Sequence, residues 1–188
     1  MSVEIIQDII PRSLCLAAEA AWPDQFWPHW HRYKGKTADK YGSMDRARIP
    51  AASIAALDAL ALAVIPYIGD SFIDYDLHAA GLHMMPPSGF LARHLDAEFH
   101  PIRPWRRTHS IVMSVNSDWQ EHYGGQLWIE DETTITPHCG TAVIFDTPET
   151  PHEVFPVSRQ VYRKTLALFA WTIDSNCHGR TSANFGER

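Results

Sequence analysis

The spacing of apolar residues changes character about one third of the way along the chain. Over Ser13 to Trp22 (SLCLAAEAAW) it predicts a short helix closed by Pro23. Pro50 opens a stronger candidate, AASIAALDALALAVI, since the fixed φ of proline suits a first helical turn. Ile54, Leu57, Ala61, Val64 and Ile65 are expected on one face of it, and Pro66 and Gly69 end it. Between the two helices, Trp27 to Arg48 mixes aromatics with lysines and glycines and reads as a long loop or a loose hairpin. Loops of this length often act as lids, the role expected of this one. From Phe72 onward the period becomes that of strands: Phe72–His83, Phe90–Asp96, His109–Val115, Gln126–Glu130, Ala142–Phe145, Glu153–Val157 and Lys164–Thr172. Each run is short, rich in β-branched or aromatic residues, and bounded by Pro, Gly, Asn or Asp. Helices followed by regularly spaced strands predict an α+β chain built on an antiparallel sandwich or barrel. We expect a single domain over 1–188: a helical part to about residue 70, a strand core over about 71–173 and a polar tail, 174–188.

Composition narrows the class. With 188 residues, 45% hydrophobic and 20% charged, the chain can bury a core, which excludes a disordered or fibrous protein. The longest apolar stretch, Ile54 to Ile68, contains Asp58 and is broken by Pro66, short of the ~20 residues of a membrane span. The start, MSVEIIQDII, carries acids where a signal peptide is basic, so no secretion is expected. A net charge of −6 argues against nucleic acid as the main partner. Cys15, Cys139 and Cys177 are odd in number and widely spaced, which predicts neither a disulfide framework nor a zinc ribbon and makes a reducing cytoplasm the default.

Eleven histidines raise the question of a metal. In His94-Leu95-Asp96, alternation along a strand points His94 and Asp96 the same way, with Leu95 packing on the other side. Alone, the pair reads more readily as a hydrogen-bonded His–Asp at a strand end than as a metal site. His152, in TPHEV, supplies a third ligand candidate between two apolar strands. Two imidazoles and a carboxylate suit ferrous iron with an open face, or a catalytic zinc. Arg163 and Thr165 share one face of the last strong strand, RKTLALFAW. An arginine facing an apolar sandwich needs an anionic partner. Its fork matches a carboxylate, with the Thr165 hydroxyl adding a hydrogen bond. His29 and His31 lack a neighbouring acid, and His138 falls before a turn and is a weaker third ligand than His152. His100, His109 and His122 have no ligating spacing. Trp105, Arg106 and Arg107 are a candidate rim of the substrate mouth or a solvated basic turn.

The segment Phe90 to Trp171 resembles the iron(II)- and 2-oxoglutarate-dependent oxygenases, in their prolyl 4-hydroxylase-like branch. The resemblance rests on ARHLD (92–96), VNSDWQEHYGGQLWI (115–129), GTAVIFD (140–146), TPHEVFPVS (150–158) and RKTLALFAW (163–171). The run from Ser117 to Leu127 is especially like the hypoxia-type prolyl hydroxylases. The resemblance implies a double-stranded β-helix, or jelly roll, of two antiparallel sheets buttressed by the N-terminal helices. It implies Fe(II) held by His94, Asp96 and His152, and 2-oxoglutarate bound through Arg163 with Thr165 assisting. O2 is the further co-substrate and ascorbate an accessory reductant. The reaction implied is hydroxylation of an unactivated C–H bond, on a prolyl residue of a protein or peptide. A free amino acid or other small molecule, a non-catalytic metal-binding module and a zinc hydrolase are the alternatives. The chain departs from the family where Met84 stands near the usual position of a tyrosine, and where IVMSVN offers Met113 or Ser114 instead of another. His83 and Ser114 are the candidate replacements. Nothing in the sequence sets the oligomeric state.

Overall fold

The computed structural model describes residues 2–78, 80–130, 133–158 and 160–175. In chain order the elements are β1 (Val3–Ile6), α1 (Arg12–Ala20), β2 (His31–Lys34), β3 (Asp39–Ser43), α2 (Ala51–Ala63), β4 (Phe72–Ile73), β5 (Gly81–Met85) and β6 (Leu91–His94). There follow β7 (Trp105–Ser114), β8 (Leu127–Ile129), β9 (Thr133–Ile135), β10 (Ala142–Asp146), β11 (His152–Val154) and β12 (Arg163–Ile173). An eight-stranded sheet runs β1-β10-β7-β12-β5-β3-β2, with β4 also on β12. A four-stranded sheet runs β6-β11-β8-β9. The pairs joining these strands are antiparallel, and the two sheets form the jelly roll.

Alternation along the strands separates two cores. Leu82, Ile111, Met113, Ile144, Leu166 and Leu168 point from the large sheet onto α1 and α2, where Cys15, Ala18, Leu57 and Leu60 meet them. Each such aliphatic side chain, fully buried, contributes roughly 1.5–3 kcal/mol. The opposite face carries Met85, Val143 and Phe145 toward Leu127, Ile129 and Val154 of the small sheet. The site lies at one end of this second interior.

Several elements differ from the sequence reading. In α2, Leu57 and Ala61 are buried, as is Val64 at its end, but Ile54 is only half-buried and Ile65 is exposed. Pro66 forces the chain out of the helix after Val64 into a 3-10 turn, which turns Ile65 outward. The single strand expected over Phe72–His83 is two strands, because the Asp74 carboxylate accepts the N–H groups of Asp76 and His78 and bends the chain. β1 and β9 were not expected. Of the two forms expected for residues 27–48, the hairpin is the one found, and it is not loose: β2 and β3 pair, and β3 is stitched to β5 through Tyr41↔Met84, Gly42↔His83 and Ser43↔Leu82. Its turn end also reaches the small sheet, through Ala38↔Leu91. Of the expected polar tail, residues 176–188, including Cys177, lie outside the described residues. Among the described residues no helix is long and apolar enough to cross a membrane.

Candidate active site

His94 is the last residue of β6, and β11 begins at His152. The two are register partners in the small sheet, with ring centroids 4.2 Å apart. Asp96 follows just past the end of β6. Its Oδ1 lies 3.5 Å from His94 Nε2 and its Oδ2 3.9 Å from His152 Nε2. These three residues come from chain positions 58 apart, and one ligand atom of each lies within 4.8 Å of the others. Leu95 does not pack on the opposite side as expected; it is 54% exposed, because the strand has already ended.

Protonation follows from the hydrogen bonds. His94 Nδ1 lies 3.0 Å from the Ala92 carbonyl and His152 Nδ1 3.0 Å from that of Thr150. A carbonyl can only accept, so each Nδ1 carries the proton and each Nε2 presents a lone pair toward Asp96. Burial pushes the His152 pKa down, which favours the neutral ligating form. Burial would raise Asp96, but its neighbours His94, His152, the Arg107 guanidinium and the Ser110 hydroxyl outweigh it and hold the carboxyl well below its usual range. Two neutral imidazoles and one carboxylate, all with free lone pairs, fit a divalent cation such as Fe(II).

Two groups that orient Asp96 were not among the expected site residues, although the alternation of β7 already points Ser110 inward. Ser110 Oγ donates to Asp96 Oδ2 and shares a hydrogen bond with Thr147. Arg107 Nη1 sits 3.4 Å from the same oxygen, and its guanidinium lies 3.6 Å from the Phe169 ring centre. On β7, even-numbered residues from Ser110 to Ser114 face the interior, so Arg107 should face away. A β-bulge between the Ala170↔His109 and Trp171↔Arg107 pairs inserts one residue and turns Arg107 inward. Arg107 is therefore 3% exposed and no part of a rim, while Arg106 remains outside, paired with Glu98.

Arg163 opens β12 and is 5% exposed. Its Nη1 donates to Thr165 Oγ1 at 2.6 Å, its Nε is buried without a partner, and it has no ion pair among the described residues. Burial pulls its pKa down to about 10. A cavity beside it is lined by Ser114, Thr136, Thr141, Leu127 and Val143. Gly125, at φ +67°, makes the approach possible: a Cβ there would stand 3.1 Å from Arg163 Cδ and 3.1 Å from Trp119. An arginine so placed is a receptor for a carboxylate. Thr165 pairs with His83 on one side and Ser114 on the other, so both candidate replacements share the inner face with it. Met84 points the opposite way and is fully buried.

A second group, Asp74, His78 and His100, also has ligand atoms within 4.8 Å. Its hydrogen bonds do not suit a metal. His100 Nδ1 accepts the N–H groups of Ile102 and Arg103, so its Nε2 carries the proton and donates to Asp74. The group is a structural clasp, with His100 stacked edge-on against Trp105 and Trp171. Burial pushes His100, His109 and His83 below the ordinary histidine pKa. A depressed base contributes stability that is complete above the unfolded value and is lost as pH falls through the folded one. The melting temperature is therefore expected to hold above about pH 6.5 and to fall progressively below it. A melting temperature that stays level or rises on acidification to about pH 5 contradicts this. His29 stacks on Trp27, while His31 and His138 are exposed, and none approaches the triad.

Comparison with known proteins places this geometry. Residues 80–171 match the family model of the 2OG-Fe(II) oxygenase superfamily. No curated protein matches the sequence. Among solved structures, a Pseudomonas putida prolyl-4-hydroxylase is 27% identical over 92% of both chains, with a TM-score of 0.65. A Trichoplax adhaerens prolyl hydroxylase, solved with a hypoxia inducible factor peptide fragment, is 18% identical over 93% of this chain and 84% of that one, with a TM-score of 0.64. A non-heme alpha ketoglutarate dependent carbocyclase from nogalamycin biosynthesis shares the fold at 11% identity, covering 90% of this chain and 79% of that one, with a TM-score of 0.65. The superfamily uses Fe(II), 2-oxoglutarate and O2, and a His–Asp–His group able to hold the metal is present here. Residues 80–171 therefore form a 2OG-Fe(II) oxygenase domain, prolyl hydroxylase-like, which supports a 2-oxoglutarate-dependent dioxygenase.

Proposed function

We propose that His94, Asp96 and His152 hold Fe(II), that Arg163 with Thr165 binds the distal carboxylate of 2-oxoglutarate, and that the enzyme hydroxylates a prolyl residue in a protein or peptide. One juxtaposition carries the reading of the site. Two imidazoles with Nε2 lone pairs converge on a carboxylate, in the same interior as a buried arginine that lacks an anion. When bound, the metal and 2-oxoglutarate supply O2 activation, in which decarboxylation to succinate and CO2 is coupled to oxygen insertion into a C–H bond. The chain's part is placement. Ser110 and Arg107 fix Asp96, the carbonyls of Ala92 and Thr150 fix the two rings, and the Arg163 fork orients the co-substrate. The helices α1 and α2 buttress the large sheet within one catalytic domain. Cys15 and Cys139 are free thiols, in keeping with a cytoplasmic setting.

The prolyl substrate is supported by the likeness to the Pseudomonas putida prolyl-4-hydroxylase. A small-molecule substrate is the second reading, supported by the shared fold of the carbocyclase. The two are separated by incubating the protein with Fe(II), 2-oxoglutarate, ascorbate and air, with either proline-containing peptides or free amino acids. The expected result is succinate above the substrate-free background, with one oxygen added to a peptidyl proline. Oxygen gained only by a free amino acid establishes the second reading. No consumption of 2-oxoglutarate under any condition contradicts both.

A further inference from the structure

The hairpin at the edge of the large sheet carries a cation that this scheme does not use. Register fixes where it points. Gly42 pairs with His83, which pairs with Thr165, and Arg163 pairs with Met85 two positions on. Lys40, two residues before Gly42, therefore shares the inner face with Gly42, His83, Thr165 and Arg163. Gly42 leaves that face open, since a Cβ there would meet the rings of Tyr33 at 3.4 Å and His83 at 3.7 Å. The Lys40 ammonium sits 5.8 Å from the Tyr33 ring centre, on the residue paired with it across the hairpin.

The ammonium has no carboxylate of its own among the described residues. Asp39, its neighbour, is on the other face and is taken by Arg32. The acid whose charge acts on it is Asp96, already committed to His94, Ser110 and Arg107. Burial lowers the Lys40 pKa, and its charge is felt in turn by His83 and His152. Three fixed cations, Lys40, Arg107 and Arg163, thus face one carboxylate. A bound divalent metal adds two positive charges and 2-oxoglutarate removes two, so the excess persists in the loaded site. Desolvated ammonium groups are stable when paired.

We propose that Lys40 is a specificity-determining residue that pairs with a carboxylate of the substrate, so that the enzyme selects a substrate bearing a carboxylate close to the carbon it hydroxylates. This deepens the oxygenase reading and rests on it. Two sources supply such a group: the α-carboxylate of a free amino acid or C-terminal residue, and the side chain of an acidic residue beside an internal proline.

The test is binding to protein loaded with Mn(II) and 2-oxoglutarate, followed by calorimetry. The probes are acid–amide pairs: L-proline and L-prolinamide, acetyl-Ala-Pro as free acid and as amide, and acetyl-Pro-Asp amide and acetyl-Pro-Asn amide. At least one acid is expected to bind about tenfold more tightly than its amide, a ratio set by one charge pair. The first two pairs report an α-carboxylate and the third an acidic side chain. In Lys40→Met that preference is expected to fall below about twofold, and in Lys40→Arg to survive in part. Wild-type protein with no preference for any acid, including one that binds none, overturns the proposal. So does a preference that Lys40→Met retains. A loss of about tenfold or more in 2-oxoglutarate affinity in Lys40→Met also overturns it, because the ammonium would then serve the co-substrate. Failure of the underlying reading is distinct: the Mn(II)-loaded wild type would not bind 2-oxoglutarate at all.

Discussion

His152→Ala is expected to abolish tight binding of Mn(II) or Fe(II), and 2-oxoglutarate turnover with it, while His78→Ala leaves both unchanged. The contrast is informative because both histidines belong to clusters whose ligand atoms lie within 4.8 Å. They differ in which nitrogen faces the carboxylate: His152 turns its unprotonated Nε2 toward Asp96, whereas His78 turns its protonated Nδ1 toward Asp74. At His152 the Thr150 carbonyl claims Nδ1–H, leaving Nε2 free. His78 directs Nδ1 at Asp74, a carboxylate that also receives the His100 Nε2–H. Groups that merely orient a ligand typically cost about 10–100-fold in affinity or activity, the range expected for Ser110→Ala and Arg107→Met. Removing the ligand itself should exceed about 100-fold. Metal titration by calorimetry, with circular dichroism to confirm the fold, reads the difference. Stoichiometric metal binding by His152→Ala, or its loss in His78→Ala, contradicts the assignment.

Arg163→Met is expected to weaken 2-oxoglutarate binding by about 100-fold, near 3 kcal/mol, the scale for losing one partner of a buried charge pair. The same substitution is expected to raise the melting temperature of the protein free of 2-oxoglutarate. Arg163 is a buried guanidinium with an unpartnered Nε and no ion pair among the described residues, so its burial opposes folding until an anion arrives. In the wild type, 2-oxoglutarate should raise the melting temperature by linkage; in Arg163→Met it should not. Arg163→Lys is expected to fall between, since it keeps the charge and loses the fork. Thermal melts with and without the co-substrate check all of these. An Arg163→Met protein that melts lower than wild type and still responds to 2-oxoglutarate contradicts them.

How much of this was legible in the sequence depends on whether strand alternation held locally. His94, Asp96 and His152 could be read because each lies in or next to a regular strand, and a shared face is a matter of parity. Arg163 and Thr165 follow the same rule on β12, where the inner residues alternate up to the bulge. Arg107 could not be found this way. The bulge shifts parity by one, and no Gly or Pro in Trp105–Ser114 marks it. Lys40 was hidden for another reason. A polar stretch with Gly35 and Gly42 reads as a mobile connection, and only its pairing with β5 makes it a wall of the site. Met84 and His83 illustrate the cost of a one-residue ambiguity: the residue nearest the expected tyrosine position faces the helices, and its neighbour faces the site. The clasp formed by Asp74, His78 and His100 brings together residues up to 26 apart, with no spacing to announce it.

The most direct test of the central claim is a crystal structure of the protein soaked with Mn(II) and 2-oxoglutarate. The prediction is one metal ion bound by His94 Nε2, His152 Nε2 and the Asp96 carboxylate, with continuous ligand density from the ion to the Arg163 guanidinium. A metal ion seated instead at Asp74, His78 and His100, or a ligand carboxylate that leaves Arg163 unpaired, would contradict it.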